Sequence, residues 1–414
     1  MEMKDMKPKV YYFPSRTYTY TQSMSKFKAL YGLKKLGIEE AVKDSDKVVI
    51  KTHFGAEENT RYLRPSYIRF LSDYVKKLGG VPAVTESCGW GVPGAQGEYG
   101  GRANEEEYLQ VALKHGFTKK TMGADIFMLD GPDGTDFEKQ PIKGKHFDEI
   151  LVAGRLREFD SMILASHFKG HSNSGFGGAI KNLGIGCVSK GGKVQAHNGK
   201  DFNFDFNKCT PECNECVEIC PTGAIARNEL GKVQRDEKEC GYCYMCASVC
   251  ENEAIEISSS PYEEFIEQMT DNAKGVVEYF GNDNIFYINY AIDITYQCDC
   301  SGGSDIPFIS DIGVLTSKDP VALDQACIDL THLSYMNPHS ILGDIENLSS
   351  QEKKNWFSYI PRFDPESNKI DLNREGKKTD RWKIQLEAAE KIGLGKREYE
   401  LMELQLAKDQ DPLI

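Results

Sequence analysis

The sequence lacks the features that mark several common classes of protein. No apolar run in its 414 residues approaches the ~20 residues that a membrane-spanning helix needs. The first residues contain no apolar segment of the signal-peptide type, so we expect a cytoplasmic protein. A nicotinamide or flavin fingerprint is also missing, which favours an external electron carrier over a nucleotide cofactor if the chain carries out redox chemistry.

Positively charged residues are fewer than negatively charged ones. The chain has 50 Lys and Arg residues against 63 Asp and Glu residues, which gives a formal net charge of -13. Binding to a nucleic-acid backbone or to an anionic membrane rests on clustered Lys and Arg, so we predict neither partner. Solubility is the simplest role for the acidity, and a local basic patch for a protein partner stays compatible with it.

Cysteine, by contrast, is abundant and unevenly placed. The chain has 13 cysteines, and eight of them lie between positions 209 and 250. A secreted disulfide scaffold spreads its cysteines through a short chain that normally follows a signal peptide. Their concentration in one short stretch of a long chain indicates thiolate ligands in a reducing compartment.

The spacing of these eight cysteines favours iron–sulfur clusters. Three closely spaced cysteines wrap a loop around three corners of a cubane, and the fourth ligand comes from a distance. The two runs end in matching Cys-x2-Cys-x3-Cys patterns, at Cys213, Cys216 and Cys220 and again at Cys243, Cys246 and Cys250. A pair of zinc sites is the alternative, although zinc ribbons usually separate two Cys pairs by a longer spacer. A purely structural role for the clusters is a further alternative to an electron relay.

This segment resembles the bacterial two-cluster ferredoxins. The resemblance implies two 4Fe-4S clusters with crossed ligation, one held by Cys209, Cys213, Cys216 and Cys250, the other by Cys220, Cys240, Cys243 and Cys246. Two departures stand out, namely an extra residue between Cys209 and Cys213, and Glu251 where a Pro often follows the last Cys. Neither departure removes a ligand.

The rest of the sequence alternates strand-like and helix-like segments. Strands are predicted at 10–13, 48–50, 81–85, 162–165, 285–294 and 314–315, and helices at 25–36, from Pro65 to about 78, 263–280, 320–330 and 382–392. This pattern predicts an α/β fold with a mainly parallel sheet and helices on both faces. We divide the chain into a first α/β part at 1–200, an inserted small α+β ferredoxin-like domain at 201–258, and a second α/β part with a helical tail at 259–414.

Reactive side chains follow three of the predicted strands. His53 follows the strand at 48–50, Glu86 and Cys88 follow the strand at 81–85, and His167 and His171 follow the strand at 162–165. Ligands bind beyond the carboxyl ends of the strands in open parallel sheets, so these positions predict a binding site. A single His is more often a satisfied core or surface group than a ligand, and several at one sheet edge make a site as plausible as that reading.

A Gly-rich turn near Lys181 allows two interpretations. Gly177 and Gly178 precede Lys181, and glycines let backbone N–H groups approach a bound anion. The turn matches neither the dinucleotide fingerprint nor the P-loop. Tight packing of the backbone is the alternative to a cofactor cradle.

Most of the chain resembles a large family of uncharacterised α/β proteins that often carry an inserted ferredoxin module. The matching segments are 51–55, 167–171, 177–184, 299–300 and 317–322. The resemblance implies the α/β fold and the ferredoxin insert but no settled reaction.

A shorter pattern is similar to nickel-dependent lactate racemase. It consists of His171, Lys181 and His197, with glycines just before the Lys. The resemblance implies that His171 transfers protons, that Lys181 attaches a cofactor covalently and that His197 ligates a metal. The Pro that follows the Lys in that family is absent here, so we expect a shared fold rather than nickel racemisation.

Cys298 and Cys300 lie outside the insert, after a predicted long strand. Two thiols one residue apart can bind a soft metal or form a redox pair. An ordinary turn with two reduced thiols is the third interpretation.

Three functions follow from these observations. The first is an iron–sulfur reductase, in which two 4Fe-4S clusters pass electrons to a small molecule near His53, His167, His171, Lys181 and His197. There Lys181 would hold an anionic group and a His would supply protons. The electrons would come from an external carrier such as a ferredoxin or from a partner redox enzyme. The second is an electron-transfer or cofactor-maturation subunit without its own substrate, which predicts a shallow or closed cleft. The third is a metal-dependent racemase or epimerase with a metal at His197.

Overall fold

The computed structural model of the chain describes residues 6–96, 100–199, 202–205, 207–364 and 369–404. Its strands, numbered in chain order, are β1 (Lys9–Pro14), β2 (Lys47–Lys51), β3 (Val81–Glu86), β4 (Asp125–Met128), β5 (Phe137–Pro141), β6 (Glu149–Ala153), β7 (Ser161–His167), β8 (Lys169–His171), β9 (Gly175–Gly177), β10 (Phe202–Phe204), β11 (Ile225–Arg227), β12 (Val233–Arg235), β13 (Ile255–Ile257), β14 (Ile285–Ala291), β15 (Gly313–Ser317), β16 (Arg362–Asp364), β17 (Lys369–Asp371) and β18 (Glu400–Glu403).

The α-helices, also in chain order, are α1 (Ala29–Lys35), α2 (Ile38–Ala41), α3 (Pro65–Lys77), α4 (Glu105–Lys114), α5 (Lys119–Met122), α6 (Ala179–Gly184), α7 (Lys190–Asn198), α8 (Glu215–Glu218), α9 (Met245–Ser248), α10 (Tyr262–Phe280), α11 (Pro320–Thr331) and α12 (Arg381–Lys391). Within the described residues no helix is both long enough and apolar enough to cross a membrane.

Eight strands form one sheet in the order β18-β1-β15-β14-β7-β2-β3-β4. The five strands from β14 to β4 pair in parallel. β15 is antiparallel to both of its neighbours, and β1 and β18 pair in parallel at the edge. The predicted α/β fold with a mainly parallel sheet is therefore confirmed.

Helices cover both faces of this sheet because its central strands are apolar on both sides. In β7, Met162 and Leu164 belong to one hydrophobic cluster, whereas Ile163 and Ala165 belong to the other. Successive side chains of a strand point to opposite faces, so this alternation places one cluster on each side of the sheet. The first cluster includes side chains of α6, α10, α11 and α12, and the second includes side chains of α1, α3 and α4.

The helix boundaries follow from local sequence signals. Pro65 is the first residue of α3, where the missing N–H costs nothing, and Gly79 after its end has a left-handed φ of 92°. The side chain of Asp319 accepts hydrogen bonds from the backbone N–H groups of Val321 and Ala322, so it caps α11 as the sequence predicts. Leu71 on the inner face of α3 is fully buried, and truncation to Ala at such a site costs about 2–5 kcal/mol.

Two predicted elements have different limits in the structure. The strand predicted at 285–294 ends at Ala291, and shortly after it Asp293 adopts a left-handed φ of 47°. The predicted helix at 25–36 begins with a π-helical turn over Met24–Lys28, in which the Lys28 N–H donates to the Ser23 carbonyl, and the α-helix proper starts at Ala29. Strand β18 and the β5–β6 hairpin gave no sequence signal that we recognised.

The cysteine-rich segment forms its own small set of elements. β10 pairs antiparallel with β13, so the chain leaves the α/β part and returns to it along adjacent strands. Between them lie α8, α9 and the β11–β12 hairpin. Its core is small and includes Cys216, Ile225, Val233, Cys246 and Ile255. The domain boundaries at 201 and 258 stay predictions, and residues 200, 201 and 206 lie outside the described part.

Candidate functional site

A cavity of about 420 Å³ lies at the carboxyl ends of β2, β3 and β7. It is lined by seven of the residues that the sequence indicated outside the insert, namely His53, His167, His171, Gly177, Gly178, Lys181 and His197. β2 pairs with both β3 and β7, so the residues that follow these strands converge at one edge. The structure therefore brings the predicted residues together, although their individual roles stay predictions.

Other lining residues escaped the sequence analysis. They include Trp90, Arg102, Tyr108, Lys193 and Ser248. Arg102 reaches the cavity from the loop between β3 and α4, and its Nη2 donates to the Cys300 carbonyl at 2.8 Å. No local motif marks these positions. Glu86 lines the cavity as expected, whereas Cys88 is fully buried and outside the lining.

A buried ion pair lies at the end of β2 and β3. The Lys51 ammonium contacts the Glu86 carboxylate, and both side chains are almost completely buried. His53 Nε2 lies 3.9 Å from the other oxygen of Glu86. His53 Nδ1 accepts a hydrogen bond from the Gly55 backbone N–H at 2.9 Å, which leaves the ring proton on Nε2, facing Glu86. Burial lowers the pKa of His53 well below its usual range, so this ring is neutral.

Asp299 connects two cavity residues beneath the surface. Its Oδ1 lies 2.8 Å from His167 Nδ1, and its Oδ2 accepts from Lys169 Nζ at 3.0 Å. Burial alone would raise the pKa of Asp299, but His167 and Lys169 hold it well below its usual range. His167 Nε2 donates to the Ile292 carbonyl at 2.8 Å, so both ring nitrogens are already used. This bonding suits a positioning residue, and the catalytic role predicted for His167 stays a prediction.

The hydrogen bonds of His171 determine which ring nitrogen carries the proton. Its Nδ1 accepts from the backbone N–H groups of Asn173 at 3.2 Å and Ser174 at 3.0 Å. A nitrogen that accepts two N–H donors has no proton of its own, so the ring hydrogen is on Nε2. Burial, with a further contribution from Lys181, lowers the pKa of His171 well below its usual range. His171 is therefore a neutral donor through Nε2–H.

His197 has the opposite arrangement. Its Nδ1 lies 2.8 Å from the Lys193 carbonyl, which can only accept, so Nδ1 carries the proton. None of the described residues bonds to Nε2, so its lone pair is available. Burial lowers the pKa of His197 to about 4, and the ring packs against Phe265 of α10 with centroids 4.4 Å apart. This is the tautomer of a base or of a metal ligand, whose other nitrogen commonly donates to a carbonyl.

Lys181 presents an amine without a partner. Among the described residues its Nζ makes no hydrogen bond and no ion pair, and its side chain lines the cavity. Burial is the main reason that the pKa of Lys181 falls to about 7, and the neighbouring Lys169 acts in the same direction. Near neutral pH the residue therefore exists both as an ammonium, which attracts anions, and as a free amine, which is nucleophilic.

Close packing accounts for Gly178, the second of the two glycines before Lys181. A Cβ at Gly178 would lie 2.4 Å from the carboxylate of Asp324. That carboxylate accepts from the backbone N–H groups of Ala179 and Ile180, at 2.8 and 2.9 Å. These N–H groups at the start of α6 are therefore not free to hold a phosphate. A cofactor-binding role for Gly177 and Gly178 stays a prediction, and packing explains Gly178.

In the insert, the eight cysteines line two separate small cavities. One is lined by Cys209, Cys213, Cys216 and Cys250, and the other by Cys220, Cys240, Cys243 and Cys246. In each, one cysteine comes from the opposite half of the internal repeat. This is the grouping that crossed ligation requires.

The donor set in these cavities suits a cationic inorganic core. Burial, followed by the proximity of Cys209 and Cys213, raises the pKa of the Cys216 thiol. Burial also raises the pKa of Cys246, with neighbouring Cys243 adding to the effect. Converging thiolates thus repel one another unless metal ions neutralise them. Backbone N–H groups donate to Cys240 Sγ and Cys250 Sγ, as is usual around cluster sulfurs.

The insert contacts the main cavity directly. Ser248 lines the cavity, and it lies in α9 between the cluster cysteines Cys246 and Cys250. The Nζ of Lys190, in α7, lies 3.7 Å from the Sδ of Met245, which is also in α9. The Ser260 N–H, just after the insert, donates to the His197 carbonyl at 2.9 Å. One short helix is therefore shared between the cysteine clusters and the cavity wall.

Comparisons with known proteins find matches to the α/β part and to the cysteine-rich insert. A family model described as "Domain of unknown function (DUF362)" matches residues 48–329. A ferredoxin from Methanothermococcus thermolithotrophicus is 37% identical over 55 residues, which cover 13% of this chain and 92% of that protein. The chain therefore contains a ferredoxin-like segment, and the sequence prediction of one is confirmed.

Two solved structures are more distant. The lactate racemase apoprotein from Thermoanaerobacterium thermosaccharolyticum is 11% identical with a TM-score of 0.34, covering 71% of this chain and 52% of that one. A protein from Thermotoga maritima is 10% identical with a TM-score of 0.29, covering 64% of this chain and 50% of that one. The chain spans about half the length of each. The distant similarity to lactate racemase that the sequence indicated is thus found.

Proposed function

We propose that this chain, which belongs to the DUF362 family (domain of unknown function), is an iron–sulfur oxidoreductase whose substrate is a small anionic molecule. Cys209, Cys213, Cys216 and Cys250 would hold one 4Fe-4S cluster. Cys220, Cys240, Cys243 and Cys246 would hold the other. When bound, such clusters supply or accept single electrons at low potential.

The observation that carries this proposal is the position of Ser248. It lies between two cluster cysteines in sequence and lines the same cavity as Lys181, His171 and His197. A relay that serves only a partner protein does not need a ligand cavity beside its cysteines. An electron-transfer subunit without a substrate predicts a shallow or closed cleft, and a cavity of about 420 Å³ is within the usual range for small-molecule sites.

The charges around the cavity favour an anionic ligand. Lys51 is matched by Glu86, and Lys169 is matched by Asp299. Lys181 has no acidic partner among the described residues, and Arg102 contacts a backbone carbonyl rather than a carboxylate. The cavity thus keeps unmatched positive charge, which a carboxylate or phosphate group of a substrate would neutralise.

The hydrogen bonds suggest how the histidines would divide the chemistry. The ammonium form of Lys181 would hold the anionic group of the substrate. Nε2–H of His171 would donate to a developing negative charge on the reacting group. Nε2 of His197 would accept a proton or return one. In this assignment proton transfer moves from His171, where the sequence resemblance placed it, to His197.

The test combines cluster analysis with substrate oxidation and reduction. Protein purified without oxygen should contain about eight iron and eight sulfide per chain, for two four-iron clusters. Its reduced form should show an EPR signal. Small carboxylates, 2-oxo acids and phosphate esters are then screened for a compound that reoxidises the reduced protein. Reoxidation is measured as recovery of the visible absorbance that the clusters lose on reduction.

Two variants separate the cavity from the clusters. K181M should slow reoxidation by the active compound at least ~10-fold while the iron and sulfide contents stay unchanged. K119M changes an exposed Lys and should behave as the native chain does. Zinc without sulfide in the oxygen-free protein would disprove the redox function. An active compound that reoxidises the reduced K181M variant at the native rate would disprove the site.

A metal-dependent racemase or epimerase is the second candidate. The observation that favours it is the free Nε2 of His197 beside Lys181. Nickel or another non-iron metal in the purified protein, lost in a His197→Ala variant, would support it.

We further propose a reducing cellular compartment and an external electron carrier such as a ferredoxin, because the insert needs reduced thiols and the sequence has no nucleotide-binding fingerprint.

A further inference from the structure

A cysteine pair lies beside His171 at the wall of the cavity. Cys298 and Cys300 form a disulfide in the loop after β14. Their sulfurs and one ring nitrogen of His171 all lie within 4.8 Å of one another. Cys300 lines the cavity and is partly exposed, whereas Cys298 is buried. Two sulfurs and an imidazole at these distances belong either to a soft-metal site or to a redox pair.

The bonding of His171 argues against a metal. A metal-ligating His binds through a lone pair and donates its other N–H to an acceptor. Here Nδ1 accepts from the backbone N–H groups of Asn173 and Ser174, and the remaining nitrogen carries the ring proton. Neither nitrogen has a free lone pair, so only two sulfurs remain as ligands. Structural zinc needs four ligands and catalytic zinc usually has three from the protein.

We propose that Cys298 and Cys300 are a redox-active pair that interconverts between disulfide and dithiol inside the cavity. Opening the disulfide takes two electrons and two protons and gives two thiols. A thiol reductant supplies them by exchange. Its thiolate attacks Cys300 Sγ, the accessible sulfur, and the S–S bond breaks with the electron pair on Cys298. A second reductant thiol then releases Cys300 and leaves as the reductant's own disulfide.

Two features stabilise the sulfur that departs. The Cys300 backbone N–H donates to Cys298 Sγ at 3.4 Å, and this contact strengthens when the sulfur becomes a thiolate. A ring nitrogen of His171 lies within 4.8 Å of both sulfurs, close enough for the imidazole to influence a thiolate at either position. His171 therefore acts here as a positioning residue that favours the thiolate form.

The loop that carries the pair is anchored on both sides. Arg102 Nη2 donates to the Cys300 carbonyl at 2.8 Å, and Asn59 Nδ2 donates to the Ser301 carbonyl at 2.9 Å. On the other side, the Gly170 N–H donates to the Thr295 carbonyl at 2.8 Å. An anchored loop keeps the two sulfurs close after the bond opens, so the disulfide can close again without a large rearrangement.

The experiment measures the oxidation state of the pair directly. The anaerobic protein is equilibrated with dithiothreitol buffers of graded reduced fraction, and its thiols are blocked with one isotopic form of a maleimide. After complete reduction in denaturant, the remaining thiols receive a second isotopic form. As the reduced fraction of the buffer increases, Cys298 and Cys300 should change together from the second label to the first.

The chain contains its own controls. Cys88, Cys187 and Cys327 are buried free thiols, and each should carry the first label at every ratio if blocking is done after rapid denaturation. In a Cys298→Ser variant, Cys300 should carry the first label throughout. Because the native chain itself gives the titration, the result does not depend on whether a variant folds.

A second measurement tests His171. In the reduced native-state protein, alkylation of Cys300 is followed against pH. H171Q should move the midpoint of this profile upward by about one pH unit, which slows alkylation about tenfold at neutral pH. H339Q changes an exposed His and should leave the profile unchanged. An unchanged profile in H171Q would assign His171 a merely structural role.

Two outcomes overturn the proposal. One is a 298–300 peptide that carries free thiols at every ratio. The other is a metal that is bound stoichiometrically, blocks labelling of the two cysteines, and is missing from both the C298S and the H171Q variants. Electron supply to the pair from the insert rests on the proposed function, but the dithiothreitol titration does not. Zinc in the insert would therefore disprove the redox function of the insert without affecting the proposal that Cys298 and Cys300 are a redox-active pair.

Discussion

The cysteine-rich insert and the cavity are built in different ways. The insert collects eight ligand residues from about forty consecutive positions, and its buried core has only a handful of side chains. The cavity collects its residues from β2, β3, β7, α6, α7 and the loop after β14, on a sheet with large hydrophobic clusters on both faces. If the proposed clusters are bound, the insert would depend on them for its stability, whereas the cavity depends on packing.

This difference explains the kinds of charge that each region tolerates. In the insert, burial and the proximity of other thiols raise the pKa of Cys216 and of Cys246, so their thiolate forms call for a bound cation. In the cavity, buried acids and bases are matched within the protein, as Asp299 is by His167 and Lys169. Lys181 differs, because it has no acidic partner among the described residues and burial lowers its pKa to about 7.

Removal of iron should unfold the insert and leave the sheet folded. Anaerobic chelation is expected to make β11 and β12 exchange amide hydrogens at the rate of an unfolded segment. Strands β7 and β14 should stay protected by an unfolding free energy on the order of 5 kcal/mol or more. Hydrogen-exchange mass spectrometry measures both regions in one sample. Equal loss of protection in β7 would show that the two regions are not independent.

Asp299→Asn should destabilise the sheet domain by about 3–5 kcal/mol. The substitution removes a buried carboxylate and leaves the ammonium of Lys169 without its counter-charge. Urea unfolding followed by far-UV circular dichroism gives the change. Asp133→Asn, at an exposed position, is the matched control and should change stability by less than about 0.5 kcal/mol. A similar effect of both substitutions would contradict a buried charge network.

Lys181→Met should stabilise the chain by about 1–2 kcal/mol at pH 6. The folded state lowers the pKa of Lys181 from 10.5 to about 7, mainly by burial. Between these values the unfolded chain binds a proton that the native chain does not, so native stability rises with pH. The advantage of K181M should therefore be greatest below pH 7 and shrink toward pH 10.5. Urea unfolding at a series of pH values checks this, and a pH-independent difference would refute it.

Lys208→Met should have the smallest effect, below about 0.5 kcal/mol. Lys208 forms an ion pair with Glu256 at 2.7 Å on the exposed surface of the insert. Thermal unfolding of the cluster-loaded protein measures the change. A loss greater than about 1 kcal/mol would mean that surface charges, and not metal ligation, hold this region together.

The sequence identified some features because they depend on neighbours along the chain. The cluster cysteines follow a fixed local spacing, and His171, Lys181 and His197 lie within one short segment. The Asp319 cap and Pro65 likewise define helix starts through adjacent residues. The alternation of strands and helices gave the mainly parallel sheet by the same logic.

The remaining features depend on contacts between distant segments. Arg102 reaches the cavity because its loop packs on Cys300, almost two hundred residues away. Ser248 lies at the cavity only because α9 packs against α7. The proton positions of His171 and His197 depend on individual backbone groups that no side-chain pattern reveals. The residue pattern alone therefore cannot define which nitrogen of either ring carries the proton.

The pairing of β10 with β13 affects how the insert could be removed by protein engineering and how it could be gained or lost in evolution. Asn203 and Glu256 face each other across this ladder, so the polypeptide enters and exits the metal-binding module at neighbouring points. A short hairpin turn spliced between these strands would excise the module without breaking a strand of the large sheet. The same geometry explains how one gene could gain or lose a ferredoxin as a single cassette.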